Sequence, residues 1–187
     1  PANWQTAAPN ASDAAVFDLD ADYTVSMIAS QTNDQLLVRD GNVALDIDPL
    51  ATYRLLNNST ILTTPDVSLV VGRSAGASAK LTVEGGFFTA DDAAIGVDGE
   101  GTFVARQGTY VSSGSAFFGR NTDGRGVGRL SGAFWSAGQL ISGFEGVGEF
   151  TIADGATMEV TGNAGASIGA AADGNGAVTV TGEDSSL

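Results

Sequence analysis

Carboxylates are the side chains in this sequence that are best placed to do chemistry. The loop Asp-Gly-x-Gly occurs three times, at residues 98–101, 123–126 and 173–176. Carboxylates and turn carbonyls on successive repeats could share a calcium ion. Asp-Gly with a neighbouring glycine is also a common turn, and these loops recur only once per long repeat. The turn is the interpretation that we favour, so we assign no metal ligand, no catalytic residue and no cofactor.

A second set of carboxylates alternates with apolar residues near the start of the chain. Asp18, Asp20 and Asp22 are separated by single apolar residues, a spacing that would put all three on one face of a strand. There they could bind calcium or serve as the acid and base of a glycosidase or lyase. A solvated strand face opposite a buried one explains the same row. We favour the solvated face.

The composition excludes several classes of active site and partner. The 187 residues include 22 acidic and 8 basic ones, no His and no Cys, and the formal net charge is -14. Without cysteine there are no disulfides or thiolate metal sites, and without histidine the commonest general base is missing. The acid excess argues against nucleic-acid binding, and no apolar run reaches the roughly 18 residues of a membrane helix. We predict no nucleic-acid partner and no membrane insertion by this chain.

The segments that carry these residues repeat along the chain. From about residue 67 onward, an apolar-Gly phrase, a polar turn and a short β-type segment recur. The glycines that end the phrases are spaced by 24, 23, 24 and 26 residues: Gly72, Gly96, Gly119, Gly143 and Gly169. A unit of this length cannot bury its own apolar side. Stacking the units in parallel solves this, because each strand then pairs with its counterpart in the next unit.

The repeats predict an all-β fold, a right-handed parallel β-helix (β-solenoid) with about three short strands per coil of roughly 24 residues. The handedness follows from the general preference of parallel crossovers. Like residues should stack in inward columns, and we expect one column to contain Ile95, Phe118, Ile141 and Ile168. The segments predicted as strands in the regular repeats are residues 81–83, 87–88, 102–104, 109–111, 129–131, 134–135, 150–152, 158–160 and 178–180.

The first part of the chain is less regular but continuous with the rest. Residues 1–66 are predicted to form irregular N-terminal rungs with a candidate cap, and residues 67–187 form the regular repeats of the same domain. Terminal repeats of solenoids are commonly atypical because one end must be shielded. The strand-like segments in the first part are residues 23–25, 35–38, 43–47, 53–55 and 59–62.

Aromatic residues recur at similar places in the repeats, in part as adjacent pairs. Adjacent residues of a strand point to opposite faces, so the two members of a pair cannot both be buried. We expect one member of each pair in a stacked core and the other on a surface that contacts a carbohydrate or a subunit. The residues are Phe87, Phe88, Tyr110, Phe117, Phe118, Phe134 and Trp135.

Catalysis is not expected from the basic residues. Parallel β-helices include polysaccharide lyases, which need clustered acids for calcium and an Arg or Lys base in a long groove. The only lysine is Lys80, and the arginines form no such cluster in the sequence. Arg120, Arg125 and Arg129 gather around the loop that contains Asp123, where we expect them to compensate local negative charge.

Several short motifs at the start of the chain have counterparts in one family. They are Asn3-Trp4, Pro9, Asp13, Ala15-Val16-Phe17 and Tyr23-Thr24-Val25. In this order, and together with the later apolar-Gly phrases, they resemble the β-solenoid passengers of bacterial autotransporters. The resemblance implies export to or beyond the Gram-negative cell surface, as an adhesive or structural passenger.

The expected function is that of an extracellular structural or adhesive β-solenoid at the bacterial cell surface. The chain begins with Pro1 and stops just after a repeat strand, as expected of a fragment or of an end that meets another copy. An open terminal coil can pair with a second copy, so the expected partnership is end-to-end self-association into fibres. The alternative is a carbohydrate-binding or polysaccharide-lyase-like β-helix with a surface glycan as its partner.

Overall fold

The computed structural model describes residues 9–57 and 67–187. In these two ranges the chain is all-β, without a helix, and forms eighteen strands. In chain order the strands are β1 (Ala14–Phe17), β2 (Asp22–Met27), β3 (Gln31–Asn33), β4 (Gln35–Val38), β5 (Gly41–Ile47), β6 (Thr52–Leu55), β7 (Leu69–Val71), β8 (Ser78–Glu84), β9 (Phe87–Thr89), β10 (Ala93–Ile95), β11 (Glu100–Ala105), β12 (Tyr110–Phe118), β13 (Arg125–Ser131), β14 (Phe134–Ser142), β15 (Val147–Ala153), β16 (Thr157–Val160), β17 (Ala166–Ile168) and β18 (Asn175–Val180).

The strands stack in parallel on three faces of a solenoid of about seven turns. Face 1 contains β1, β4, β7, β10, the second halves of β12 and β14, and β17. Face 2 contains β2, β5, β8, β11, β13, β15 and β18, and face 3 contains β3, β6, β9, the first halves of β12 and β14, and β16. Because β12 and β14 turn the corner from face 3 to face 1, these two faces form one sheet of 11 strands.

We number the coils by their face 2 strand, so that coil 1 contains β2 and coil 7 contains β18. Coils 3, 4 and 5 contain β8, β11 and β13, which pair with one another in that order. The less regular N-terminal coils belong to the same sheets, since β4 pairs with β7 and β5 with β8.

The structure confirms the predicted parallel solenoid of about three strands per coil. Each of the nine segments predicted in the regular repeats overlaps a strand. In the first part of the chain, four of the five predicted segments overlap β2, β4, β5 and β6, and residues 59–62 lie outside the described residues. The right-handed sense of the coil stays a prediction.

One inward column of face 1 differs from the prediction in a single coil. Its members are Val71, Ile95, Phe118, Ser142 and Ile168. Ser142 therefore takes the place predicted for Ile141, which pairs with Phe117 in the neighbouring outward column. The inward residue is the one directly before each corner glycine, and in this coil that residue is a serine. Its buried hydroxyl lies 2.8 Å from the carbonyl oxygen of Gly148 and 3.1 Å from that of Ala177.

Aromatic rings of successive coils fill the middle of the core. They are all buried: Tyr53, Phe88, Phe103, Phe118, Trp135 and Phe150. The Trp135 ring lies 5.0 Å from that of Phe103 and 5.8 Å from that of Phe150, between centroids. Its Nε1 donates a hydrogen bond of 3.0 Å to Ser113 Oγ. The prediction that one member of each aromatic pair is buried is confirmed for Phe88, Phe118 and Trp135.

Glycine builds the corner between faces 1 and 2. At Gly96, φ is +69°, and an added Cβ would lie 2.1 Å from the backbone carbonyl of Arg125 in the next coil. At Gly126 an added Cβ would lie 2.1 Å from the carbonyl oxygen of Ile95. The Asp-Gly-x-Gly loops lie at this corner, where the backbones of neighbouring coils come too close for a side chain at either glycine position.

The acidic row near the start of the chain does not lie on one strand, so that prediction was wrong. β1 ends at Phe17 and β2 begins at Asp22, which leaves Asp18 and Asp20 in the connection between two faces. The physical reason is the width of face 1, whose strands span only three or four residues in each coil. Asp18, Asp20 and Asp22 are all exposed.

Candidate functional site

A groove of about 650 Å³ crosses the outer surface of face 2 on coils 3 to 5. It lies over β8, β11 and β13 and reaches the corner that leads to face 3. The residues that line it are Lys80, Glu84, Val104, Arg106, Gln107, Arg129 and Ser131. Three of the 8 basic residues of the chain therefore share one groove.

The parallel register brings the three basic residues together from separate coils. Lys80 of β8 pairs with Thr102 of β11. Two residues further along, Val104 of β11 pairs with Arg129 of β13. The Cα atoms of Lys80 and Arg129 are therefore about 12 Å apart, from the usual spacings between and along strands. Arg106 follows the end of β11 and lies about 8 Å from Arg129 by the same spacings.

The groove carries more positive than negative charge. Glu84 is the one carboxylate that lines it, and its Oε1 accepts a hydrogen bond of 2.8 Å from Arg106 Nη1. Both side chains of this pair are about half exposed, so the ion pair adds little to stability. Arg129 Nη2 lies 3.8 Å from Asp154 Oδ2, and Lys80 forms no ion pair with any residue in the described ranges.

Three aromatic side chains, two exposed and one half-buried, stack on the outer side of face 3, and we call them the aromatic ladder. Phe87, Tyr110 and Phe134 occupy one outward column on coils 3, 4 and 5. The ring centroids of Phe87 and Tyr110 are 5.7 Å apart, and those of Tyr110 and Phe134 are 5.0 Å apart with the planes at 16°. Phe87 is 44% and Tyr110 37% exposed. The prediction that some recurring aromatic residues lie on the surface is therefore confirmed.

The groove and the aromatic ladder lie on the same three coils, on either side of one corner. In coil 4, only residues 107–109 separate Arg106 from Tyr110, and Gln107 among them lines the groove. The sequence analysis missed this pairing, although the chain carries a signal for it. Lys80, Arg106 and Arg129 are 26 and 23 residues apart, and the ladder residues are 23 and 24 apart, close to the repeat period.

Arg120, Arg125 and Arg129, which the sequence places around one loop, do not lie together in the fold, and two of them lie beside carboxylates, as expected for compensation of local charge. The guanidinium carbon of Arg120 lies 5.1 Å from the ring centre of Phe117. Arg125 Nη2 donates a hydrogen bond of 2.7 Å to Glu149 Oε1 in the next coil. Arg125 begins β13 and Arg129 lies near its end, about 13 Å away, whereas Arg120 directly follows the corner glycine Gly119. Residues that are close in sequence therefore lie in three separate surroundings.

The carboxylates singled out in the sequence are not brought together. Asp98 accepts a hydrogen bond of 2.7 Å from Asn121 Nδ2 in the next coil, a contact within the wall of the solenoid. In residues 9–57 and 67–187, no three acidic side chains converge as ligands of a metal ion. No helix in the same ranges is long and apolar enough to cross a bilayer.

One carboxylate outside the groove has a perturbed pKa. Burial raises the pKa of Asp92 above its usual value of 3.8, and the neighbouring Asp91 raises it further. Hydrogen bonding by Ser115 and the charge of Arg120 act in the opposite direction. Asp92 Oδ1 accepts a hydrogen bond from the backbone N–H of Ser115, where β12 turns the corner into face 1. Burial also raises the pKa of Tyr53, whose hydroxyl donates a hydrogen bond of 2.8 Å to Asn33.

We expect D92N to stabilise the protein at neutral pH. The raised pKa means that the folded state holds a proton that the unfolded state has already released. Stability therefore falls as the pH rises from 3.8 through the raised pKa of Asp92, and it stays reduced above that value. Asparagine keeps the acceptor for Ser115 without the half-buried charge. Urea unfolding between pH 3.5 and 7 should show a gain that shrinks as the solution is acidified.

D123N provides the control, because it removes one exposed carboxylate from the same acidic surface. Its effect on the free energy of unfolding should stay within about 0.5 kcal/mol. A loss of stability in D92N at pH 7 would contradict the assigned cost of the half-buried charge.

In comparisons with protein-family models, with curated proteins and with solved structures, nothing matches the chain. The geometry of the groove, the aromatic ladder and the coil ends therefore carries the functional proposals.

Proposed function

We propose that the protein is a structural and adhesive β-solenoid, exported to the bacterial cell surface, that lengthens by stacking coils end to end. The observation that carries the proposal is the edge of coil 7. β17 pairs with β14 and β18 pairs with β15, and within the described residues the other edge of each strand has no partner strand. An unpaired edge presents backbone donors and acceptors that another chain can satisfy by adding a strand.

Coil 7 also exposes apolar side chains that a longer stack would bury. Ile168 is 54% and Val180 is 44% exposed, whereas Ile152, which pairs with Val180, is fully buried in coil 6. At the other end, Tyr23 and Val25 of coil 1 are only partly buried. A second copy placed head to tail would extend the same columns. Such contacts do not close on themselves, so they produce filaments.

The charge and the opening motifs support the rest of the proposal. A net charge of -14 makes the sides of neighbouring rods repel each other, which favours growth along the axis. The motifs that resemble autotransporter passengers, Ala15-Val16-Phe17 and Tyr23-Thr24-Val25, form part of β1 and β2 in coil 1. A role as a rod at the cell surface needs no catalysis, and the proposal includes none.

We expect V178K to abolish end-to-end assembly and T179K to leave it intact. The two residues are neighbours in β18, and Val178 faces the core side while Thr179 is exposed on the outer side. A lysine in the inward column would place an ammonium group in the core of the joined rod, at a high desolvation cost. Sedimentation velocity and negative-stain electron microscopy over a range of protein concentrations would measure the assembly.

Both variants should fold, because β18 pairs within the described residues with β15 alone, and circular dichroism would verify this. Rods that grow longer with concentration in the wild type and in T179K, but not in V178K, support the proposal. Wild-type protein that stays as single short rods at every concentration would overturn it.

A second candidate function, carbohydrate binding, is favoured by one specific observation. The groove and the aromatic ladder lie side by side on coils 3 to 5, far from the edge of coil 7. An adhesive role would place a ligand there.

A further inference from the structure

We propose that the groove and the aromatic ladder together bind a linear acidic polysaccharide, whose carboxylate or sulfate groups pair with Lys80, Arg106 and Arg129. This inference rests on the second candidate function, carbohydrate binding, and names its ligand class; it does not depend on end-to-end assembly. It rests on the charge of the groove, on the spacing of the three cations and on the exposed rings across the corner.

The charge of the groove selects an anionic ligand. Three cations and one carboxylate line it, in a chain with a net charge of -14. Glu84 engages Arg106 through one Nη atom, which leaves the other N–H groups of this guanidinium for a ligand. Lys80 forms no ion pair within the described residues, and Arg129 makes only a 3.8 Å contact with Asp154. These cations, two exposed and Lys80 half-buried, can pair with an anion without breaking a strong internal contact.

The spacing of the cations suits an extended polymer as well as a small ion. Their Cα atoms are about 8 to 14 Å apart across three coils, within reach of one anion but also far enough apart to meet several acidic groups. A linear chain with acidic groups at intervals can contact them in turn. Each contact is an Arg or Lys pair with a carboxylate or sulfate, which is a charge-assisted hydrogen bond.

The aromatic ladder selects a sugar polymer over other polyanions. The exposed rings of Phe87 and Tyr110, beside the half-buried ring of Phe134, offer an apolar surface that a sugar ring can contact, and the Tyr110 hydroxyl adds a polar group. Nucleic acid would also use cations and rings. The single-stranded DNA arm of the experiment below distinguishes nucleic acid from a sugar polymer. A second copy of this chain would bring the same negative charge without a sugar ring to stack.

Binding of a galacturonic acid oligomer, measured by isothermal titration calorimetry at low salt, tests the proposal. A sulfated oligosaccharide forms a second arm, a neutral maltose oligomer a third, and a single-stranded DNA oligomer a fourth. We expect binding to at least one acidic sugar and at most weak binding to the neutral one. The dissociation constant should rise with salt, because the contacts are exposed ion pairs. The arm that binds more tightly identifies the acidic group.

Matched variants locate the site on the surface. K80Q and R129Q should each weaken binding about fivefold, as expected for an exposed ion pair, and Y110A should weaken it about tenfold. R39Q removes an exposed cation from a different corner, and F144A removes a ring that is 37% exposed, like Tyr110, beside Phe117. Neither control should change the affinity by more than twofold.

Four results would overturn the proposal. The first three are no heat of binding with either acidic sugar, equal binding of the neutral oligomer, and DNA that binds more tightly than both acidic sugars. A fourth is an equal loss of affinity in R39Q and R129Q. It would mean that exposed cations anywhere on the surface attract the acidic sugar and that the groove is not its binding site. Repeating the titration with V178K separates the two proposals, since this variant should bind the sugar normally even if it no longer assembles.

Discussion

G96A is expected to lower the free energy of unfolding by at least about 3 kcal/mol. Two separate costs add at this position. The φ of +69° places alanine in a left-handed conformation that L-residues rarely adopt, and the new Cβ would lie 2.1 Å from the backbone carbonyl of Arg125. The obstacle is backbone of the next coil, paired on both sides in face 2, so it cannot move away without disturbing the ladder.

G76A separates the two costs, because Gly76 has a φ of +78° and no atom within 4 Å of an added Cβ. This control should lose only the conformational term, about 1 kcal/mol. Urea unfolding followed by circular dichroism would give both values. Equal losses in G96A and G76A would contradict the close approach of neighbouring coils at the glycine corner.

The corner glycines explain why so much of the fold could be predicted from the sequence. The same steric problem recurs once per coil, so the same residue recurs once per coil at Gly72, Gly96, Gly119, Gly143 and Gly169. All five have a positive φ, between 65° and 72°. Because only glycine satisfies this constraint, the spacing of the glycines in the sequence gives the length of a coil. The short strands can then be predicted in the segments between the glycines.

The register inside a coil was harder to predict, because hydrophobicity alone does not settle which residue faces inward. On face 1 the outward residues are apolar as well, and Leu37, Val70 and Ala94 are completely buried. Where both sides of a strand are apolar, the alternation that fixes register disappears. This is why Ile141 was assigned to the column that Ser142 occupies.

The candidate site could not be predicted from residues that are close in sequence. Arg125 and Arg129 are four positions apart in the sequence but lie in different surroundings. Lys80 and Arg129 are 49 positions apart in the sequence but line the same groove. The repeat period links Lys80, Arg106 and Arg129, but only the pairing of β8, β11 and β13 decides that all three reach the same face. Prediction of the groove needs both the repeat period and the strand register, and the sequence shows only the repeat period.

G128A is expected to destabilise the core by about 2 kcal/mol through overpacking. Gly128 shares an inward column with Phe103 and Phe150 on the neighbouring coils. An added Cβ would lie 2.3 Å from Phe150 Cδ2 and 2.5 Å from Phe118 Cε1. The Phe118 and Phe150 rings are 4.9 Å apart between centroids. Phe118 also touches the Trp135 ring at 6.0 Å, so neither ring can move aside freely.

A double-mutant cycle with F118L tests whether the missing side chain of Gly128 is what makes room for this ring. F118L alone leaves a small cavity and should cost about 1 kcal/mol, but it also removes the ring edge that the new Cβ of G128A would strike. The double variant should therefore be more stable than the sum of the two single losses predicts, by at least about 1 kcal/mol. V127A, at the outward-facing neighbour, is the control and should couple with F118L by less than about 0.5 kcal/mol. Strictly additive losses in the G128A and F118L pair would mean that the aromatic rings do not fill the space above Gly128, and the packing assigned to the centre of the solenoid would be wrong.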